Sequence, residues 1–197
     1  MIEDKVLELR QLVIAKIDEL FKHKTYWKSK KFIVSYKTSP ITNCLIFDIG
    51  DFYILFGEIK NTTVGGSYIN ESIKPIIWIN TWTDSWLNDF NIPLLFNFQY
   101  RKLLKTCLFI LDHELTHYVD DKYHKKIIPI SMPRIEYYNS TIEVNAYYCQ
   151  ILLSSKNFKD FYYNLCNSYF IEWLNFSNKK KMIKRAYLYF SSKNGTR

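Results

Sequence analysis

The segment 98–122 constrains the fold more than any other part of this 197-residue chain, because its apolar residues follow a helical repeat. They recur every three or four positions and so form a single stripe along one helix face. The stripe consists of Leu104, Cys107, Leu108, Leu111, Leu115 and Tyr118. At about 100° per residue, His113 and His117 point about 150° away from the centre of the stripe. We therefore predict a long helix that packs one face into a core and presents both histidines on the opposite face.

The five residues from His113 to His117 read His-Glu-Leu-Thr-His and place two histidines one helical turn apart. Imidazoles at positions i and i+4 lie on the same helix face, so both can bind one metal ion. A pattern this short arises by chance in roughly a few chains per thousand of this length. Its place opposite an apolar stripe favours a metal site over two unrelated histidines. We predict His113 and His117 as ligands of one Zn²⁺ and Glu114 as the base that takes a proton from a zinc-activated water.

A catalytic zinc site needs a third protein ligand and an open position for water. The candidates downstream are Asp120, Asp121, His124, Glu136 and Glu143. The two aspartates follow His117 too closely on the same helix, and His124 lacks the glycine-containing spacer that lets a third histidine fold back. Glu143 lies 26 residues after His117, which gives the chain room to leave the first helix and return in a second. We predict Glu143 as the third ligand, against the alternative of an ordinary glutamate near a helix N-terminus.

Two segments resemble the thermolysin-like gluzincins, zinc metallopeptidases that use two histidine ligands, a catalytic glutamate and a glutamate ligand from the next helix. One segment is His113–His117 with the following Val119 and Asp121, and the other is 138–147. Segment 138–147 is similar to the third-ligand segment of small zincin-like proteins, many of them encoded by phages and prophages. Together the two segments fall within about 103–150, a quarter of the chain. The resemblance implies a zincin-like fold and hydrolysis of peptide bonds, and it identifies no substrate.

The resemblance leaves the groups around the metal open. Gluzincins often carry an aspartate four residues after the ligand glutamate, where it orients a ligand histidine, but this chain has Tyr147 at that position. Asp121 is the alternative for part of that role, or else it is a solvated carboxylate. A side chain that stabilises the oxyanion is also expected. The candidates, which the sequence does not rank, are Tyr137, Tyr138, Tyr147, Tyr148 and His124.

The order of predicted elements is one helix, then strands, then helices, which is typical of an α+β fold. The predicted helices cover 2–24, 98–122, 140–154, 158–176 and 179–191, and the predicted strands cover 31–36, 44–48, 52–59 and 75–82. Together with the resemblance, this order predicts one zincin-like domain over 1–197, with a small, mostly antiparallel sheet packed on the histidine helix. Strand 75–82 is the predicted edge beside which an extended substrate would add. Its Trp78 and Trp82 are expected to serve the core.

Cysteine spacing and hydropathy narrow the class of protein. The four cysteines form no CxxC pair, which argues against a zinc ribbon or a redox motif, and Cys107 and Cys149 are expected to pack as small hydrophobes. The N-terminal residues do not form a signal peptide. No run of 18 apolar residues occurs, so no membrane span is predicted. We expect a protein of the reducing cytoplasm, or a virion-associated one if a phage encodes it.

Three functions follow from these features. The first is a zinc peptidase that acts on a protein or peptide, cell-wall peptides included. The second is a non-catalytic zinc protein on the same scaffold, serving as a virion component or binding module. The third is a nucleic-acid binder that uses the net charge of +8 and the run Lys179–Arg185. The usual nucleic-acid-binding motifs are absent and the run reads equally as a solvated helix face, so we predict the peptidase and no specific nucleic-acid partner.

Overall fold

The structure is a computed structural model, and it describes residues 1–33, 39–59, 65–70, 74–81, 100–125 and 132–194, without the side chains of 100–106 and 194. Six helices and five strands lie in this part of the chain, so the predicted α+β class is confirmed. The strands are β1 (Trp27–Phe32), β2 (Ile41–Asp48), β3 (Tyr53–Glu58), β4 (Gly66–Ile69) and β5 (Ile76–Asn80). The helices are α1 (Ile2–Lys22), α2 (Tyr100–His124), α3 (Arg134–Asn139), α4 (Thr141–Ser154), α5 (Phe158–Cys166) and α6 (Phe176–Asn194).

Two compact units make up the chain. One is Glu8–Leu115, and the other combines Met1–Leu7 with Thr116–Arg197. Helix α2 runs through the boundary, so its first part belongs to the unit that holds the sheet and its last part to the unit that holds α3 to α6. The predicted single domain over 1–197 stays a prediction.

The five described strands form one sheet in the order β1-β2-β3-β5-β4. The sheet is mostly antiparallel, as predicted. Strands β3 and β5 pair in parallel. Strand β4 pairs antiparallel with the other side of β5. The prediction that strand 75–82 forms the edge is therefore wrong. Its counterpart β5 is fully buried and paired on both sides, which fits its run of apolar residues, and β4 is the terminal strand.

Strand boundaries differ from the predicted ones for physical reasons. Strand β1 begins at Trp27, four residues before the predicted start at residue 31. The start was missed because the strand is rich in lysine and mostly exposed, and so shows no alternation of apolar and polar residues. In β2 the register shifts between Thr42 and Leu45, where Asn43 has a φ of 52° and bulges out of the strand. Strand β4 was not predicted, since its four residues begin with a glycine. Residues 34–36, Trp82 and the predicted helix start at 98–99 lie outside the described residues.

The core of the sheet unit forms where one face of the strands is apolar. A cluster of buried side chains joins β2, β3, β4 and β5, and it consists of Ile41, Cys44, Leu55, Ile69, Ile76 and Trp78. The indole of Trp78 is fully buried and donates a hydrogen bond to the carbonyl of Gly57 at 3.1 Å, so its predicted core role is confirmed. This packing holds β5, and with it β4, in a fixed register.

The helices follow the predicted patterns in α1 and α4 and depart from them after residue 155. Val6, Val13 and Ile17 are buried along α1, as its repeat predicts. The predicted helix 158–176 ends at Cys166, where Asn167 caps it, and a separate helix starts at Phe176. Helix α3 lies in a stretch predicted as loop. No helix in the described ranges is long and apolar enough to cross a membrane.

The cysteines provide a test of this packing. Cys44, Cys107 and Cys149 are buried and Cys166 is exposed, which confirms the hydrophobic role predicted for Cys107 and Cys149. Burial raises the pKa of the Cys107 thiol to about 12 and that of Cys44 to about 11, and only a thiolate is a good nucleophile. We predict that a thiol reagent at pH 8 labels one cysteine rapidly in the folded protein and four in denaturant. Rapid native labelling of two or more would contradict the packing.

Candidate metal centre

The three predicted ligands lie together. His113 and His117 project from α2 and Glu143 from the first turn of α4, and one ligand atom from each lies within 4.8 Å of the other two. The Nε2 atom of His117 is 3.3 Å from Oε1 of Glu143. All three side chains are buried, with Glu143 fully so. Of the described residues, these form the one group of three or more metal-binding side chains at such distances.

The chemistry of this donor set fits a transition-metal ion. Two neutral imidazoles and one carboxylate are the ligands of the His₂Glu zinc sites, in which the fourth position is left to water or substrate. Burial of a carboxylate beside two imidazoles costs free energy unless a cation or a proton compensates the charge. A hard cation such as Ca²⁺ would require more oxygen ligands than this group offers.

The start of α4 determines where Glu143 points. Ser140 is the N-cap, and its hydroxyl accepts a hydrogen bond from the backbone N–H of Glu143 at 3.3 Å. Serine followed three residues later by glutamate is the capping-box pattern, in which the glutamate returns to the backbone N–H of the serine. Here that N–H donates to the carbonyl of Tyr137 at 3.1 Å instead. The Glu143 carboxylate is therefore turned towards the histidines and does not cap its own helix.

Glu114 lies between the two histidines in sequence and is also buried, at 5% exposure. It approaches the beginning of β4: a methyl group added at Gly66 would lie 3.1 Å from Oε1 of Glu114 and 2.8 Å from the carbonyl oxygen of Trp78. The absence of a side chain at Gly66 thus allows the terminal strand to pass directly over the carboxylate. The predicted base and the backbone of β4 are neighbours in the same structural unit.

One further carboxylate precedes the histidines on α2. Asp112 is 1% exposed and accepts a hydrogen bond from Arg10 of α1 at 3.0 Å. Burial raises the pKa of the Asp112 carboxyl to about 7, although the nearby Arg10 charge lowers it. This contact anchors the ligand-bearing helix against α1 within the sheet unit.

The two aspartates that follow His117 differ in burial. Asp121 is partly exposed and does not belong to the ligand group. Asp120 is fully buried and accepts a hydrogen bond from Asn145 at 3.1 Å, while its other oxygen contacts Nδ1 of His124 at 2.9 Å. His124 thus lies against Asp120 and outside the ligand group. The orienting role considered for Asp121 stays a prediction.

Three of the predicted tyrosines, Tyr137, Tyr138 and Tyr147, belong to one aromatic cluster. Tyr147 is 4% exposed, and its ring stacks on Phe170 with centroids 3.8 Å apart. Its hydroxyl lies 3.2 Å from that of Tyr169. Tyr148 packs edge-on against Phe161 instead. Burial, the contact with Tyr169 and the charge of Glu143 together raise the pKa of Tyr147, which therefore stays a neutral phenol.

Sequence reasoning missed three residues of this region, namely Gly66, Asn145 and Arg185. A signal existed for Asn145, which is a polar residue between Val144 and Ala146 in a mostly apolar helix. Arg185 was assigned to a basic run, and its contact with Asn145 could not be read from that run.

The chain matches no protein-family model, no curated protein and no solved structure.

The contact at Gly66 yields a prediction. Gly66→Ala places a methyl group 2.7 Å from the side chain of Ile110 and 2.8 Å from the backbone carbonyl of Trp78, so we expect a loss of about 1–3 kcal/mol in the free energy of unfolding. Gly65→Ala is the matched control, because its methyl would meet side-chain atoms of Ile110 at 3.1 Å or more and no backbone, and it should cost less than about 1 kcal/mol. Urea denaturation of both variants measures the difference. Equal stabilities would show that β4 does not approach α2 this closely.

Proposed function

We propose that the protein is a zinc-dependent metallopeptidase. One observation carries the proposal: His113, His117 and Glu143, drawn from two helices, come within 4.8 Å of one another in a buried position. The chance occurrence of HExxH explains the histidine pair but does not explain a third ligand of the right type at that distance. Glu114, next in the chain to His113, supplies the base that a structural metal site does not need.

His113, His117 and Glu143 would hold the ion. When bound, zinc supplies Lewis-acid activation of a water and of the scissile carbonyl. Glu114 accepts the proton of the attacking water and then delivers it to the leaving nitrogen, as a general base and acid.

Several groups would assist in addition to the base. A methyl group added at Gly66 of β4 would lie 3.1 Å from Oε1 of Glu114, so we propose this strand, instead of 75–82, as the part of the sheet beside the chemistry. Tyr138 and Tyr147 remain candidates for stabilising the oxyanion, and the hydroxyl of Tyr147 contacts that of Tyr169. Asp121, which is partly exposed, remains a candidate for orienting a ligand histidine.

The proposed substrate class is a protein or peptide, and cell-wall peptides fall within it. A net charge of +8 favours encounter with an anionic target such as a wall polymer. Action in the cytoplasm or as part of a virion is part of this proposal and follows only from the sequence features that suggested it. The second candidate function is a non-catalytic zinc protein on the same scaffold, in which the metal only joins α2 to α4.

Zinc content and Glu114 separate these two functions. We predict about one zinc per wild-type chain by elemental mass spectrometry, and a loss of most of it in His113→Ala and Glu143→Ala, because each removes one of three ligands. Glu114→Gln should keep its zinc, since Glu114 is not a ligand. It should lower cleavage of a quenched-fluorescent peptide library by at least ~100-fold, as expected when a general base is removed.

The outcomes distinguish the alternatives. Zinc in the wild type with no cleavage of any peptide in the library, or equal cleavage by Glu114→Gln, would favour the structural role of the metal. A folded wild type that takes up no zinc when the ion is added would remove the metal site altogether. Glu136→Gln is the matched control, because Glu136 is an exposed glutamate of α3 and its substitution should change neither quantity.

A further inference from the structure

A chain of polar contacts joins the helices that carry the ligands. Asp120 of α2 accepts a hydrogen bond from the side-chain amide of Asn145 on α4 at 3.1 Å. The amide oxygen of Asn145 accepts one from Arg185 of α6 at 2.9 Å. Arg185 in turn lies 3.4 Å from the carboxylate of Glu3. All four residues belong to the same structural unit.

The position of the first pair relates it to the metal ligands. Asp120 lies one turn after His117, and Asn145 lies two residues after Glu143. A fully buried carboxylate needs hydrogen-bond donors, and losing them costs free energy. The amide of Asn145 can donate a hydrogen bond to Asp120 only when α4 lies against α2 in the observed register. The same register places Glu143 Oε1 3.3 Å from His117 Nε2.

Arg185 determines the orientation of the Asn145 side-chain amide. A guanidinium can only donate hydrogen bonds, so the atom of Asn145 that faces Arg185 must be its oxygen. The amide nitrogen then faces Asp120, which can only accept when ionised. Arg185 is itself held on its other side, since its guanidinium lies 3.9 Å from the ring centroid of Tyr148 and contacts Glu3, which is 3% exposed.

We propose that Asp120 and Asn145 are positioning residues that set the third ligand: their hydrogen bond, oriented by Arg185, fixes the register of α4 on α2 and so places Glu143 against the histidine pair. The inference rests on the proposed metal site. Neither Asp120 nor Asn145 belongs to the group of three ligands, so both would act through Glu143.

Metal affinity and the visible spectrum of Co²⁺ in the site test the proposal. Asn145→Leu keeps the branching at Cγ and removes the amide, and we expect it to weaken Zn²⁺ binding about 10- to 100-fold in chelator competition and to alter the Co²⁺ d–d bands. Asn145→Asp should weaken binding similarly, because it sets two carboxylates face to face. The exchanged pair Asp120→Asn with Asn145→Asp restores one amide and one carboxylate, so it should recover affinity to within about threefold of wild type.

Asn164→Leu is the matched control. Asn164 is also a partly buried asparagine, and its amide donates to Ser155 at 3.1 Å, away from Asp120. We expect this variant to lose stability like Asn145→Leu while its Zn²⁺ affinity and Co²⁺ spectrum match wild type.

The outcomes keep the two proposals apart. If wild type binds zinc through the three ligands but Asn145→Leu binds it equally well with an unchanged Co²⁺ spectrum, the positioning role is overturned and the metal site stands. If Asn145→Leu does not fold, the comparison passes to Asn145→Asp and the exchanged pair. An exchanged pair that binds as weakly as Asn145→Asp would also overturn the inference. A wild type that binds neither ion would remove both proposals.

Discussion

The contact between His117 and Glu143 is the interaction on which the rest of the candidate site depends. It joins two helices whose ligands are 26 residues apart in the chain, and it buries an imidazole and a carboxylate at 3.3 Å. Such a pair is expensive to remove from water unless something compensates it. Zinc would supply that compensation, and the Ser140 cap and the Asp120–Asn145 hydrogen bond supply the geometry. Fold and site are thus coupled, because the metal would stabilise the helix packing that creates it.

The sheet positions the surroundings of Glu114. Burial of Trp78 holds β5 in the interior of the sheet, and β5 holds β4 by antiparallel pairing. Gly66, at the start of β4, then lies so close to Ile110 and to the carbonyl of Trp78 that a methyl group would collide with them, and that methyl would lie 3.1 Å from Oε1 of Glu114. The positions of β4 and Glu114 therefore depend on packing contacts that begin in the apolar core. Glycine at this position reflects the close approach and not a backbone conformation.

Local patterns predicted what depends on local geometry. The spacing of His113 and His117 fixes their common helix face, and Ser140 with Glu143 marks the start of α4, so the structure agrees at these positions. Contacts between elements were less accessible. The contact of Asp120 with Asn145 was not predicted, because no local rule decides which of two adjacent carboxylates faces a partner 25 residues away. Likewise, β5 was predicted as an edge only because β4 was too short to be detected.

The central claim is that one zinc ion binds His113, His117 and Glu143. Diffraction from zinc-loaded crystals at the zinc absorption edge tests it most directly. We predict one strong anomalous peak about 2.0–2.2 Å from a nitrogen of each histidine and an oxygen of Glu143, with a fourth position left for water. A peak at other side chains, such as His124 and Asp120, or ordered ligand side chains with no peak between them, would contradict it.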